Sequence, residues 1–157
     1  MRRKSLYLEC ASGISGDMTV AALISLGANR QKLDAVLKSL CLEGFDYVVS
    51  EKKTCGLAGL DFDVKLVHEH ETGKANHHPH HEHRNLADVY AVIDRGVMSD
   101  RARELAKKIF LIVAEAESRV HGCSLQEVHF HEVGAIDSIV DIVAASVCFD
   151  DLGVEDC

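Results

Sequence analysis

The chain contains no tryptophan and a single proline, and aromatic side chains make up only 5% of its 157 residues. Apolar residues nevertheless account for 47% of the chain, so its core must consist mainly of Leu, Val, Ile and Ala. No apolar run is long enough to span a bilayer, and the first residues do not resemble a secretory signal. The sequence therefore predicts one domain, or a domain with an appendage, that is not inserted in a membrane.

Basic residues are outnumbered by acidic ones: the chain has 17 Lys and Arg and 25 Asp and Glu, which gives a net charge of −8. Proteins that bind nucleic acids generally need clustered Lys and Arg to neutralise phosphates, so this balance argues against a nucleic-acid partner. The six cysteines include no C-x-x-C pair and no zinc-knuckle spacing. We expect them to be reduced thiols in a cytoplasmic protein.

Histidine is the residue present in excess, with ten copies, seven of them in residues 68–83. This tract has no hydrophobic periodicity and contains the only proline, which predicts a disordered loop. Neutral imidazole binds nickel, copper, zinc and iron(II), so the tract predicts metal binding, with a solvated polar linker as the alternative. Its histidines are His68, His70, His77, His78, His80, His81 and His83.

A second cluster of polar side chains lies in the stretch H-F-H-E-V-G-A-I-D-S-I-V-D. In an extended chain His129 and His131 would share one face, and Glu132 follows them directly. Asp137 and Asp141 are four residues apart in a helical pattern, so they lie on the same face of a helix. Stacked carboxylates repel each other unless they share a cation or a proton. This favours a metal or acid–base site, although two solvated aspartates at a helix start fit the pattern equally well.

The N-terminal region contains a third candidate site. Leu6–Ala11 has the pattern of a short buried strand, and the turn S-G-I-S-G-D-M leads from it into a helix over residues 18–26. Ser15 or Asp17 can cap that helix, and a strand, a glycine turn and a helix N-terminus together form an anion-binding corner. The turn matches no established phosphate motif, so a simple capped turn is equally compatible with it.

The order of these patterns predicts an α+β fold: a small sheet with helices, then a helical segment, with the disordered His-rich loop between them. The corresponding parts are 1–67, 68–84 and 85–157. Two strands are predicted over 45–52 and 60–68, and a long helix over 101–121. The side chains predicted to face inward from the long helix are Leu105, Ile109, Ile112, Val113, Ala116 and Val120.

Three features in this order resemble one known family. They are L-Y-L-E-C-A-S-G-I-S-G-D-M near the start, the internal histidine tract, and H-F-H-E-V-G-A-I-D-S-I-V-D-I-V. Together they resemble the nickel-insertion proteins of nickel-pincer cofactor biosynthesis, the LarC family of lactate racemase maturation. Members of that family are markedly longer, so the resemblance implies an N-terminal part, either a fragment or a split-gene product, that lacks the nucleotide-binding C-terminal half.

The resemblance implies a chelatase or cyclometallase of the lyase class that inserts nickel into a pyridinium bis-thiocarboxylate mononucleotide. The product would carry one carbon–nickel and two sulfur–nickel bonds, and the reaction would need CTP with Mn or Mg. We expect the fragment alone to be inactive and to form a homo-oligomer. The alternatives are a nickel store or metallochaperone without a catalytic role, and a metal-dependent hydrolase.

The resemblance also implies roles for residues of this chain. If the chain is a nickel store or metallochaperone, the seven histidines of the tract bind nickel and no residue has a catalytic role. In the hydrolase reading, His129, His131, Asp137 and Asp141 hold a catalytic ion. The implied catalytic residues are Asp17, His129, His131, Glu132, Asp137 and Asp141, the implied cofactor-binding residues are Ser15 and Gly16, and His129 and His131 join the tract as metal ligands.

Overall fold

The computed structural model describes residues 3–66, 84–130 and 136–157. These residues form helices and two small antiparallel sheets, so the predicted α+β class is confirmed. The predicted His-rich loop lies outside the described residues. The helices are α1 Gly16–Ser25, α2 Arg30–Ser39, α3 Leu86–Arg95, α4 Asp100–His121 and α5 Ile136–Asp151, with a 3₁₀ turn at Leu125–Glu127; the strands are β1 Phe45–Thr54, β2 Leu57–Leu66, β3 Arg84–Asn85 and β4 His129–Phe130.

The strands β1 and β2 form a long antiparallel hairpin, as the alternating pattern predicts. Their register runs from Phe45 opposite Leu66 to Thr54 opposite Leu57. The turn is made by Cys55 and Gly56, both at positive φ, of 51° and 82°. Such a pair of left-handed residues is typical of tight hairpin turns, because it matches the right-handed twist of the strands.

Helix starts follow local sequence signals closely. The Asn29 side chain accepts hydrogen bonds from the first amides of α2. Asn85 and Asp88 form a reciprocal capping box at the start of α3, and Ser99 caps α4 by accepting from the amide of Ala102. At the other end, α4 stops at Gly122, which has a φ of 64°. Each of these ends is predictable because a side chain or a glycine satisfies backbone groups that a helix leaves unpaired.

The helix α5 occupies the centre of the core. It contacts α1, α2, α4 and β2, so the two predicted parts on either side of the histidine tract share one hydrophobic core. Phe110 of α4 packs edge-on against Phe130 of β4, with ring centroids 6.0 Å apart. None of the described helices has the length and apolar character needed to cross a bilayer. The buried side chains of α5 are Ile139, Val140, Val143, Ala144, Ser146, Val147 and Cys148.

The prediction of a buried strand over Leu6–Ala11 is wrong. This segment is mostly exposed, and the Tyr7 side chain is 85% accessible. In the described part of the chain, the region makes one bridge, between Ser5 and Asp156, in which the Leu6 amide donates to the Asp156 carbonyl at 2.9 Å. A strand needs a partner along its whole length to satisfy its backbone groups, and the segment around Asp156 supplies only this short contact.

The prediction of which side of α4 faces the core is also wrong. The predicted stripe is half-buried at best, with Ile112 58% and Val120 81% exposed. The real inner face is built largely from alanines, which give a weak hydrophobic signal in sequence but allow α3 and α5 to pack closely. The buried positions are Ala102, Ala106, Phe110 and Ala114.

Candidate carboxylate site at the start of the first helix

The start of α1 packs directly against Asp141 in the second turn of α5. A Cβ atom added to Gly16 would lie 2.5 Å from the Oδ2 atom of Asp141 and 2.8 Å from its Cβ atom. No side chain fits in that space, so glycine is required for the two helices to approach each other here. The backbone amide of Asp17 lies close enough to the Asp141 carboxylate to lower its pKa.

The surroundings of Asp141 disfavour its ionised form. Burial, followed by the negative charges of Asp17 and Asp137, raises the pKa of Asp141 to about 6, against a smaller lowering by the Asp17 amide. The Oδ1 atom of Asp141 is buried and accepts no hydrogen bond from the described residues. A buried acceptor without a donor is costly, so this oxygen favours a proton or a cation as its partner.

Ser15 and Asp17, at the start of α1, lie on the other side of this contact. Ser15 occupies the N-cap position but makes no side-chain cap; its hydroxyl donates instead to the Oδ1 atom of Asp17. The Thr19 hydroxyl donates to the Ser15 carbonyl at 2.7 Å, which holds this turn in place. We name Ser15, Gly16, Asp17, Asp137 and Asp141 the carboxylate corner.

The carboxylate corner differs from the anion-binding corner suggested by the sequence. The Asp17 amide, which could have faced an anion, lies next to the Asp141 carboxylate instead. Three aspartates around one helix start repel a bare anion and attract a cation, so a phosphate could approach only together with a positive ion. The substrate-binding role of Ser15 and Gly16 stays a prediction.

The neighbouring hairpin extends this negative region. Lys52 of β1 forms an ion pair with Asp61 of β2 at 2.9 Å. The hydrogen bond and charge of Asp61 raise the pKa of Lys52, and the charges of Asp63 and Asp17 add to this effect. The sequence did not predict that Lys52, Asp61 and Asp63 lie near this site. Alternation along a strand shows which face of the hairpin a charged side chain occupies, but it does not show which helix lies beside that face.

His129 lies on a different element from the carboxylate corner. It sits exposed on β4, opposite Asn85 of β3, while the next residue, Phe130, is buried. Among residues 3–66, 84–130 and 136–157, no three His, Cys, Asp or Glu side chains are placed to hold one metal ion. His131, Glu132 and the seven histidines of the tract lie outside the described residues, so their predicted roles stay predictions.

A small α+β domain with a carboxylate-lined helix start, in a chain that also carries a tract of imidazoles, contains side chains of the types that bind divalent metals. The chain belongs to the nickel insertion protein family, whose model matches residues 6–157. The family resemblance stated from the sequence is thereby confirmed.

Several curated relatives share this match. A protein of Alkaliphilus metalliredigens, named pyridinium-3,5-bisthiocarboxylic acid mononucleotide nickel insertion protein, is 50% identical over 163 positions, which cover 96% of this chain and 38% of the relative. The protein of the same name from Acetivibrio thermocellus is 45% identical, with 96% of this chain and 36% of the relative covered. The one from Geobacillus kaustophilus is 41% identical, with coverages of 97% and 37%.

The chain spans a little over a third of the length of the curated relatives it matches. No solved structure matches it.

Proposed function

We propose that this chain supplies and positions nickel within a cytoplasmic, CTP-dependent enzyme that inserts the ion into pyridinium-3,5-bisthiocarboxylic acid mononucleotide. The enzyme would be a nickel chelatase or cyclometallase of the lyase class, acting in the maturation of lactate racemase. The observation that carries the proposal is the family match over residues 6–157, supported by relatives that are named as nickel insertion proteins for this mononucleotide.

The proposed reaction needs both a source of the ion and a proton acceptor. Nickel is the substrate ion, and a ring carbon that becomes its ligand must lose a proton. Asp141 suits the acceptor role because its pKa of about 6 leaves it ionised at neutral pH yet basic enough to take up a proton. Asp17 and Asp137 add negative charge, which favours the approach of a divalent ion to this corner.

The histidine tract is the proposed entry point for nickel. Seven imidazoles in one short segment raise the local concentration of ligands, so an ion released by one is recaptured by another. His129, His131 and Glu132 would pass the ion toward the carboxylate corner. Both assignments rest on the sequence and the family resemblance.

CTP and its Mn or Mg ion are assigned to the additional length of the relatives, and the chain alone is expected to give no turnover. The described residues of this chain provide no set of three ligands for such an ion. We therefore assign no step in this chain to the nucleotide. The mononucleotide substrate and the remaining part of the enzyme are the proposed partners.

A chimeric enzyme tests the proposal. This chain would replace the matching 38% of the Alkaliphilus metalliredigens relative, and nickel insertion would be followed by mass spectrometry of the mononucleotide product. We expect the chimera to be active and Asp141→Asn to lower its turnover at saturating nickel. The control is Glu43→Gln, which removes an exposed carboxylate between α2 and β1 and should leave turnover unchanged.

Two results would contradict this proposal. An active chimera in which Asp141→Asn and Asp17→Asn leave turnover intact would favour a nickel store. Phosphoester or amide hydrolysis by the chain alone, dependent on His129 and Asp137, would favour the metal-dependent hydrolase.

A further inference from the structure

The outer face of α4 carries an apolar stripe that the core does not use. Ile112 is 58% and Val120 is 81% exposed, and Ala116, one turn from each, is exposed as well. Leu105 and Ile109 continue the stripe toward the N-terminal end of the helix and are half-buried. Single exposed apolar residues are ordinary, but a stripe repeated at helical spacing over four turns is typical of a helix that pairs with another.

The inner face of α4 is already fully occupied. Ala102, Ala106, Phe110 and Ala114 are at most 1% exposed. The helix therefore cannot bury the outer stripe by rotating in place without exposing Phe110, which packs against Phe130. Covering the outer stripe therefore requires a segment or a molecule that is not among the described residues.

The charged side chains beside the stripe indicate which kind of partner could cover it. At 100° per residue, Glu104, Lys108, Glu115 and Arg119 all fall on one flank of α4, next to the stripe. In an antiparallel pair of helices, residues on the same flank face each other across the contact. The midpoint between Lys108 and Glu115 and the midpoint between Glu104 and Arg119 coincide, between Leu111 and Ile112.

We propose that α4 packs antiparallel against α4 of a second copy of this chain, around a two-fold axis between Leu111 and Ile112. This axis brings each Lys108 opposite Glu115 of the second copy and each Glu104 opposite Arg119 of the second copy, while Ile112 lies at the centre. The charged flank is thus complementary to itself, as a two-fold interface requires. The intrahelical pair of Glu115 and Arg119, 3.6 Å apart and exposed, is weak enough to rearrange.

The size of this contact sets its strength. Residues 105–120 span about 24 Å of helix at 1.5 Å per residue. A single helix–helix contact of that length lies at the small end of specific interfaces. The proposal therefore predicts a reversible dimer that dissociates on dilution.

Sedimentation velocity of the full 157-residue chain tests the dimer directly. Runs over a range of concentrations would contain EDTA, so that metal bridging between histidine tracts cannot hold two copies together. We expect a concentration-dependent dimer that Ile112→Lys abolishes. The matched control, Leu57→Lys, places the same charge at a 77% exposed position on the hairpin and should leave the dimer intact. A monomer at every concentration, or equal behaviour of the two variants, would overturn the proposal.

Charge exchange tests the antiparallel register. Lys108→Glu should shift the dimer toward monomer, because two glutamates then face each other on each side of the axis. The double variant Lys108→Glu with Glu115→Lys should restore most of the dimer, although both changes disfavour pairs within the helix. Circular dichroism would establish that helix content is unchanged. A double variant that dimerises no better than Lys108→Glu would overturn the register.

Discussion

At the scale of single residues, Asp141 is a half-buried carboxyl whose surroundings disfavour its ionised form. One of its oxygens is buried without a donor among the described residues, and two other aspartates lie near it. Such a carboxyl reduces the stability of the fold when it is ionised and becomes useful when a proton or cation arrives. The ionised Asp141 carboxylate therefore lowers the stability of the metal-free protein, and it is also the group that the proposed chemistry needs.

Replacing Asp141 by Asn should stabilise the metal-free chain at neutral pH. The folded-state pKa of about 6 lies above the ordinary 3.8, so ionisation costs the folded state stability as pH rises from about 4 to 6. We expect the variant to gain about 1 kcal/mol in the free energy of unfolding at pH 7, since partial exposure of the carboxyl screens the full effect. Urea unfolding in EDTA at pH 3.5 and pH 7 measures this. A gain of the same size at both pH values would contradict the assignment.

Gly16→Ala tests the contact between the helices. Its methyl group would lie 2.5 Å from the Oδ2 atom of Asp141, so either the carboxylate or the start of α1 must move. We expect a loss of about 1–3 kcal/mol in the free energy of unfolding, as for other overpacked positions. Gly59→Ala is the matched control because its added methyl meets no atom within 4 Å. Equal effects of the two substitutions in urea unfolding would show that the approach is not tight.

At the scale of elements, the sequence predicts those features whose causes are local. The caps at Asn85 and Ser99 and the hairpin β1–β2 depend on residues close together in the chain, and all three are present. The predictions that are wrong depend on contacts between segments far apart in the sequence. Leu6–Ala11 has strand character but no continuous neighbouring strand among the described residues. In α4, the alanine face packs against α3 and α5, and the more apolar stripe beside it does not.

The capping box of α3 gives a prediction at this scale. Asn85→Ala removes the acceptor for the Asp88 amide, which then lacks its partner at the helix start. We expect a loss of about 1 kcal/mol in the free energy of unfolding. Asn85→Asp keeps an acceptor at the same position and should change stability by only a few tenths. Chemical denaturation of both variants measures the difference, and equal losses would indicate that the cap contributes nothing.

At the scale of the whole molecule, the candidate site combines what the sequence can and cannot predict. The spacing of Asp137 and Asp141 already placed both on one helix face. The contact between Gly16 and Asp141 joins the two ends of the chain, and only the packing of α1 on α5 brings them together. For the same reason Lys52 and Asp61 could not be connected to the corner from their sequence positions.

At the same scale, we propose that the chain captures nickel through imidazoles. Imidazole binds the ion only when it is neutral, and its ordinary pKa is about 6.5. Binding should therefore be present at pH 7.5 and largely lost at pH 5.5. The histidines outside the tract are His121, His129 and His131, so most of the capacity should reside in residues 68–83.

Calorimetric titration of the chain with nickel tests this claim most directly. Three proteins would be compared: the chain itself, a variant with residues 68–83 deleted, and a control in which Glu69, Glu71 and Glu82 are replaced by Gln. We expect several bound ions at pH 7.5 for the chain and the control, and loss of most of them for the deletion. An unchanged stoichiometry after deletion, or no nickel bound by the intact chain, would contradict it.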